Sequence, residues 1–192
     1  MRKTRYGILI AGLMVLLIAC AAAQDKKAVE PPKPALAASQ ELLWAWNGVG
    51  NKLIAMAEDF PEDKYGYKAT KEERSFAENL LHVVSDDYSM VSAIKGKAMG
   101  PAGSEDSLIY KYPAKADIVK LLKQAIADGA ELIKEQGEDG LTREFKYPWG
   151  NRMVHASFGW LGTIEHGGEH YGQLVVYYRL NGLVPPASRP RK

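Results

Sequence analysis

Four stretches with helical spacing, each closed by turn chemistry, fill most of the chain beyond residue 39, and no segment shows sustained period-two alternation. That pattern predicts an all-α fold and gives no support for a sheet. The first stretch covers about 40–58, with Ser39 as its N-cap and Pro61 beyond its end. The second covers about 71–95, where Thr70 and Glu73 have capping-box spacing and Gly96 closes the helix. The third, about 114–136, lies between Pro113 and Gly137. The fourth, about 153–181, has Gly182 at its C-cap and Pro185-Pro186 preventing continuation. Helices of this length, joined by moderate connections, predict a four-helix bundle. The connection from Gly96 to Tyr112 is the longest, so an up-and-down order is not compulsory.

Residues 1–38 do not read as core. Arg2, Lys3 and Arg5 precede an apolar run ending at Ala19, too short for a comfortable membrane span and typical of a secretory signal. The run closes on Leu17-Ile18-Ala19-Cys20, which resembles a bacterial lipobox. Residues 1–20 are then a signal peptide, and Cys20 is the lipidated first residue of the mature protein. Ordinary cleavage after Ala21-Ala22-Ala23 is the alternative, but it leaves the lone cysteine without a purpose. Residues 21–38, rich in Pro, Lys and Ala, read as a tether. The domain follows over 39–187, with a basic tail at 188–192. The expected location is the cell envelope, through a lipid anchor only, or in solution after export.

Charge removes one class of partner. The formal balance is +2, from 25 basic and 23 acidic residues. Without the three leader cations, 22 basic groups face 23 acids, a balance of −1. No basic stripe awaits phosphates, so nucleic-acid binding is not expected. With Cys20 spent in the leader, the domain has no disulfide, cysteine-rich zinc site or cysteine nucleophile.

Histidines carry the remaining chemistry. His166 and His170 are four residues apart on the fourth helix, so both side chains reach one face and can clip a single ion. Gly159, Gly162 and Gln173 share their stripe. The glycines permit a close helix approach or an open floor; Gln173 can orient a ligand or bond a neighbouring helix. His82 sits mid-way along the second helix on a polar stripe with Glu78, Asn79, Ser85, Asp86 and Ser89, which by itself reads as a solvated face. Phe76, Leu80, Val84 and Val91 supply that helix's core face. His155 is about three turns from His166, roughly 16 Å at 1.5 Å per residue, and reads as a bystander.

His166-Gly167-Gly168-Glu169-His170 also fits the inverted zinc-protease signature His-x-x-Glu-His. That motif needs a carboxylate ligand downstream, and nothing acidic follows His170. Two glycines inside it also weaken the helix by about 1 kcal/mol each. The protease reading fails.

The run EHGGEHYGQLVVYYRLNGLVPP resembles the last helix of the DinB-like (DinB/YfiT) metalloprotein superfamily, and ENLLHVV resembles the segment carrying its first histidine. The family pattern is His-x-x-x-His followed by Arg-Gly-Gln; here His170 is followed by Tyr171-Gly172-Gln173. The resemblance spans Gln40 to about Pro186. It implies a four-helix bundle in up-down-down-up order and makes His82, His166 and His170 the three metal ligands, with an open position beside them. Members include thiol S-transferases and a thiol-dependent isomerase. With Tyr171 in place of arginine, an anion-binding role does not carry over to that position, and export argues against cytosolic thiols as cosubstrates.

The expected function is a metal-dependent hydrolase or transferase that activates water or a thiol on a small-molecule substrate. Glu169 is its candidate proton acceptor, or else a solvated partner for a lysine. The alternative is a non-catalytic envelope lipoprotein that binds a metal or small molecule. Zinc or nickel is the expected ion, and iron, manganese and copper also suit imidazole ligands. Assembly as a homodimer is left open.

Overall fold

The computed structural model describes residues 33–97, 108 and 111–190. The signal sequence with Cys20, most of the tether and the last two residues of the tail lie outside them. Four helices carry the fold: α1 (Ala38–Asp59), α2 (Phe76–Ile94), α3 (Lys115–Leu141) and α4 (Ala156–Leu180). Among the described residues no helix is long and apolar enough to cross a membrane.

Side-chain partners fix the direction of each helix. Trp46 packs on Trp160 and the Tyr178 hydroxyl donates to the Met56 carbonyl, so α1 and α4 run parallel. Trp46 faces Gly129 while Glu58 pairs with Lys123, so α3 runs against α1. Asn79 meets His170 and Met90 meets Gly159, so α2 runs against α4. The order is up-down-down-up. Both α1 and α2 pack against α3 and α4. α1 and α2 are diagonal partners, and Phe60, just past the end of α1, stacks on Phe76 at 3.8 Å. Because α2 and α3 point the same way, the end of α2 and the start of α3 lie at opposite ends of the bundle.

The core is built from Trp46, Leu53, Phe60, Phe76, Leu80, Trp160 and Tyr178, all buried. Each such side chain contributes about 1.5–3 kcal/mol through apolar burial. Two helix ends close as the glycines predict. Gly96 and Gly182 adopt φ of 65° and 71°, and the amides after them bond back to Ser92 and Tyr178.

Several boundaries differ from the sequence reading. The first helix is capped from Ala37 rather than Ser39, whose amide instead donates to Glu138 of α3 at 2.6 Å. The second helix starts at Phe76, not near Lys71. Its capping box is Ser75 with Glu78: the Ser75 hydroxyl accepts from the Glu78 amide at 3.1 Å, and the Glu78 carboxylate accepts from the Ser75 amide. Thr70 and Glu73 have the same spacing but no apolar run directly after them, and they form only a turn. Gly137 adopts a positive φ of 55° and kinks the helix, yet α3 resumes for one more turn to Leu141. The fourth helix starts at Ala156 because Met153–His155 form a strand, β2, antiparallel to β1 (Glu144–Lys146). Val154 lies opposite Phe145 in that short ribbon, and Phe145 is buried.

The polar stripe of α2 is not a solvated face. Of its members Asn79, Ser85 and Ser89 are buried and Glu78, His82 and Asp86 half-buried, because α3, α4 and β1 enclose the helix. The Ser89 hydroxyl donates to the Ser85 carbonyl at 2.8 Å, which satisfies that side chain inside the fold.

Within the basic tail, Arg189 forms a two-pronged clasp on Asp59, Nη1 to Oδ1 at 2.8 Å and Nη2 to Oδ2 at 2.5 Å. The hydrogen bonds from Arg189 hold the Asp59 carboxyl below its ordinary value. A carboxyl with a depressed native pKa stabilises the fold above its unfolded value and loses that contribution as pH falls through the native one. Arg189→Ala is therefore expected to melt slightly below wild type at pH 7. The gap should close as pH falls below 3.8, a comparison thermal melts can check.

Candidate metal centre

His82 reaches inward from the middle of α2, and His166 and His170 reach out from successive turns of α4. The antiparallel crossing of these helices brings the three rings together. His166 Nε2 lies 3.2 Å from His82 Nε2 and 3.1 Å from His170 Nε2. Asp86, one turn after His82, places Oδ2 3.2 Å from the same His166 nitrogen and 3.9 Å from His82 Nε2. One ring nitrogen has at most one hydrogen, so it cannot make hydrogen bonds of its own to three neighbours. A cation shared among lone pairs satisfies them together. Three nitrogens at about 2.05 Å from a tetrahedral ion would sit about 3.3 Å apart, close to the spacing found. The cluster can hold a metal ion.

The second layer fixes a tautomer. Asn79, 1% exposed, lies with Oδ1 2.9 Å from His170 Nδ1. Its amide hydrogens point to the carbonyls of Ser75 at 3.1 Å and Arg74 at 3.4 Å, so the oxygen faces the ring. His170 therefore donates from Nδ1 and leaves the Nε2 lone pair toward the other histidines, as metal-bound imidazoles are commonly held. Burial pulls the His166 pKa below its ordinary value, against the opposing pull of Asp86. The neutral, ligating form is favoured at neutral pH.

Access comes from one side. A cleft of about 430 Å³ opens beside His82 and His166 and is lined also by Asp86, Tyr147, Trp149, Gly162 and Glu169. The two glycines of the α4 stripe divide the roles foreseen for them. A Cβ at Gly159 would lie 2.8 Å from Met90 Sδ and from Phe145 Cζ, so this glycine permits close packing. Around Gly162 nothing lies within 4 Å of such an atom, and it forms open floor. A larger groove of about 790 Å³ runs beside α1 and α3, but its lining holds no histidine. Two of its three lysines are engaged: Lys115 donates to the Glu58 and Phe60 carbonyls, and Lys123 pairs with Glu58.

A model of the DinB family matches residues 33–191. The chain belongs to the DinB family. Two solved DinB-like proteins share the bundle. One from Bacillus cereus ATCC 10987 aligns with a TM-score of 0.65 at 17% identity, covering 77% of this chain and 95% of its own. YjoA from Bacillus subtilis aligns with a TM-score of 0.60 at 21% identity, covering 79% and 99%. No curated protein matches the chain.

In this DinB bundle the candidate residues part company. His82, His166 and His170 converge, and Glu169 stands exposed on the cleft wall. Gln173 is exposed and does not line the cleft. His155 sits exposed at the N-cap of α4, paired across the ribbon with Glu144. Tyr171, at the family's arginine position, lies beneath Lys52 of α1, whose Nζ is 5.4 Å from the ring centre. Asp86, Asn79, Tyr147 and Trp149 escaped the sequence reading as site residues. For Asp86 the i,i+4 spacing from His82 was a usable signal.

Proposed function

We propose that the protein is a metal-dependent enzyme of hydrolase or transferase type, with His82, His166 and His170 holding the ion. The observation that carries this reading is the convergence of three imidazole nitrogens beneath an accessible cleft. A divalent ion held there supplies Lewis acidity, which lowers the pKa of a water or thiol ligand toward neutrality. The chain supplies the rest. Asn79 holds His170 in its ligating tautomer, and burial keeps His166 neutral. Asp86, with Oδ2 3.2 Å from His166 Nε2, is the proton acceptor, and Glu169 stands exposed on the cleft wall. Zinc or nickel suits the all-nitrogen donor set. Export and lipid attachment at Cys20 are part of the same proposal and rest on the lipobox resemblance.

A closed site would serve a binding protein; an open one serves catalysis. The protein loaded with cobalt(II) tests this. Its visible spectrum should shift on addition of azide or a small thiol. A spectrum unmoved by either at saturation would remove the premise of the enzyme reading.

A further inference from the structure

The cleft has a chemical character of its own. Its charged side chains other than the histidines are all acids: Asp86, Glu165 and Glu169. No lysine or arginine is among the described residues that line it. Arg74 is near enough to weigh on His166, but it is not part of the lining. Part of the lining is aromatic. The turn after β1 presents Tyr147 and Trp149, with ring centres 5.5 Å apart and edge to face, and Trp149 is half exposed. Tyr147 already attracts one cation, since the Arg152 guanidinium lies 5.9 Å from its ring centre and 5.1 Å from that of Phe158. Gly162 leaves the floor flat.

We infer that the cleft takes a small organic amine with an aromatic or apolar body. The ring faces of Tyr147 and Trp149 hold the body and favour a neighbouring cation, while Glu165 and Glu169 face the ammonium. An anion of the same shape meets three carboxylates, and no lysine or arginine lines the cleft to offset them. This deepens the proposed function by naming its substrate class. It rests on that reading for the reaction, but the recognition of charge by the cleft walls does not need the ion.

The test uses the full chain, as purified and after metal removal with EDTA, titrated calorimetrically with phenethylamine, phenylacetate and 2-phenylethanol. Metal-free protein is the decisive sample, because a carboxylate could gain affinity by ligating an ion. Phenethylamine should bind about tenfold or more tightly than phenylacetate, the expected scale for two to three partly solvated charges. Glu165→Gln with Glu169→Gln should reduce amine affinity about fivefold or more and leave 2-phenylethanol unchanged. Trp149→Ala should weaken both. All three positions are exposed, so circular dichroism should show an intact fold. Equal binding of the two charged probes, preference for phenylacetate, or indifference of the amine to the double substitution would overturn the inference. Metal content measured on the same preparations separates the two readings. Amine preference without retained metal sinks the metal enzyme alone, and retained metal without amine preference sinks the amine alone.

Discussion

Wild type is expected to retain a metal ion through purification, and alanine at His166 to lose it. His166 Nε2 lies 3.2 Å from His82 Nε2 and 3.1 Å from His170 Nε2, so its loss leaves only two imidazoles to hold the ion. His82→Ala and His170→Ala should behave alike, each losing more than the roughly 10–100-fold that follows removal of a second-layer partner. Asn79→Ala is the internal standard for that smaller loss. Metal bound only by the native state at about 1,000 times its dissociation constant adds about 4 kcal/mol. For a chain of this size that is roughly 10 °C in melting temperature, most of which the histidine variants should forfeit. His155→Ala, on the far end of α4, should keep both metal and added stability. Mass spectrometry for metal content and melting curves with and without zinc supply the comparison. Wild-type retention in His166→Ala would remove the three-histidine site.

Acid should reproduce part of this loss. Ligation needs neutral imidazole, so proton and metal compete. In the metal-free protein the sign follows from His166, whose native pKa lies below its ordinary 6.5 because it is buried. The unfolded chain then binds more protons than the native one between these values. Stability contributed by this group is present above 6.5 and falls as pH drops toward the native pKa.

The parts of this structure that were legible are those decided locally. Gly96 and Gly182 mark helix ends because few other residues adopt positive φ there. His166 and His170 read as a pair because helical spacing alone stacks them. What needed tertiary information stayed hidden. Thr70-x-x-Glu73 and Ser75-x-x-Glu78 are equivalent as strings, and the packing of Phe76 against Phe60 and Tyr65 selects the second. The ribbon strands have three residues each, too few for alternation to register. Yet the ribbon carries Tyr147 and Trp149 to the cleft. Asn79 and Asp86 looked like members of a wet stripe, since nothing local says that α3, α4 and β1 close over α2. His82 suffered the same ambiguity and was recovered through family resemblance rather than through its own surroundings.

Packing at the α1–α3 crossing gives the sharpest stability test, because two rules predict opposite signs for one small change. Glycine to alanine inside a helix ordinarily stabilises it by about 1 kcal/mol. At Gly48 of α1 nothing lies within 4 Å of the new Cβ, so Gly48→Ala should raise the melting temperature. At Gly129 of α3 the same atom would lie 2.3 Å from Trp46 Cζ2 and 2.7 Å from Cε2. Trp46 cannot easily retreat. Its Nε1 donates to the Ile126 carbonyl at 2.8 Å, its ring meets Trp160 edge-on at 5.3 Å, and it is 3% exposed. Overpacking a tight core costs about 1–3 kcal/mol, and a displaced indole adds a buried donor without its partner, about 1–3 kcal/mol more. Either outweighs the propensity gain. Gly129→Ala is thus expected to be destabilised by about 2 kcal/mol, or roughly 4–8 °C. Adding Trp46→Phe should recover part of that loss, because the smaller ring leaves space for the methyl group. A Gly129→Ala protein that melts above wild type would show that α1 and α3 do not cross this closely.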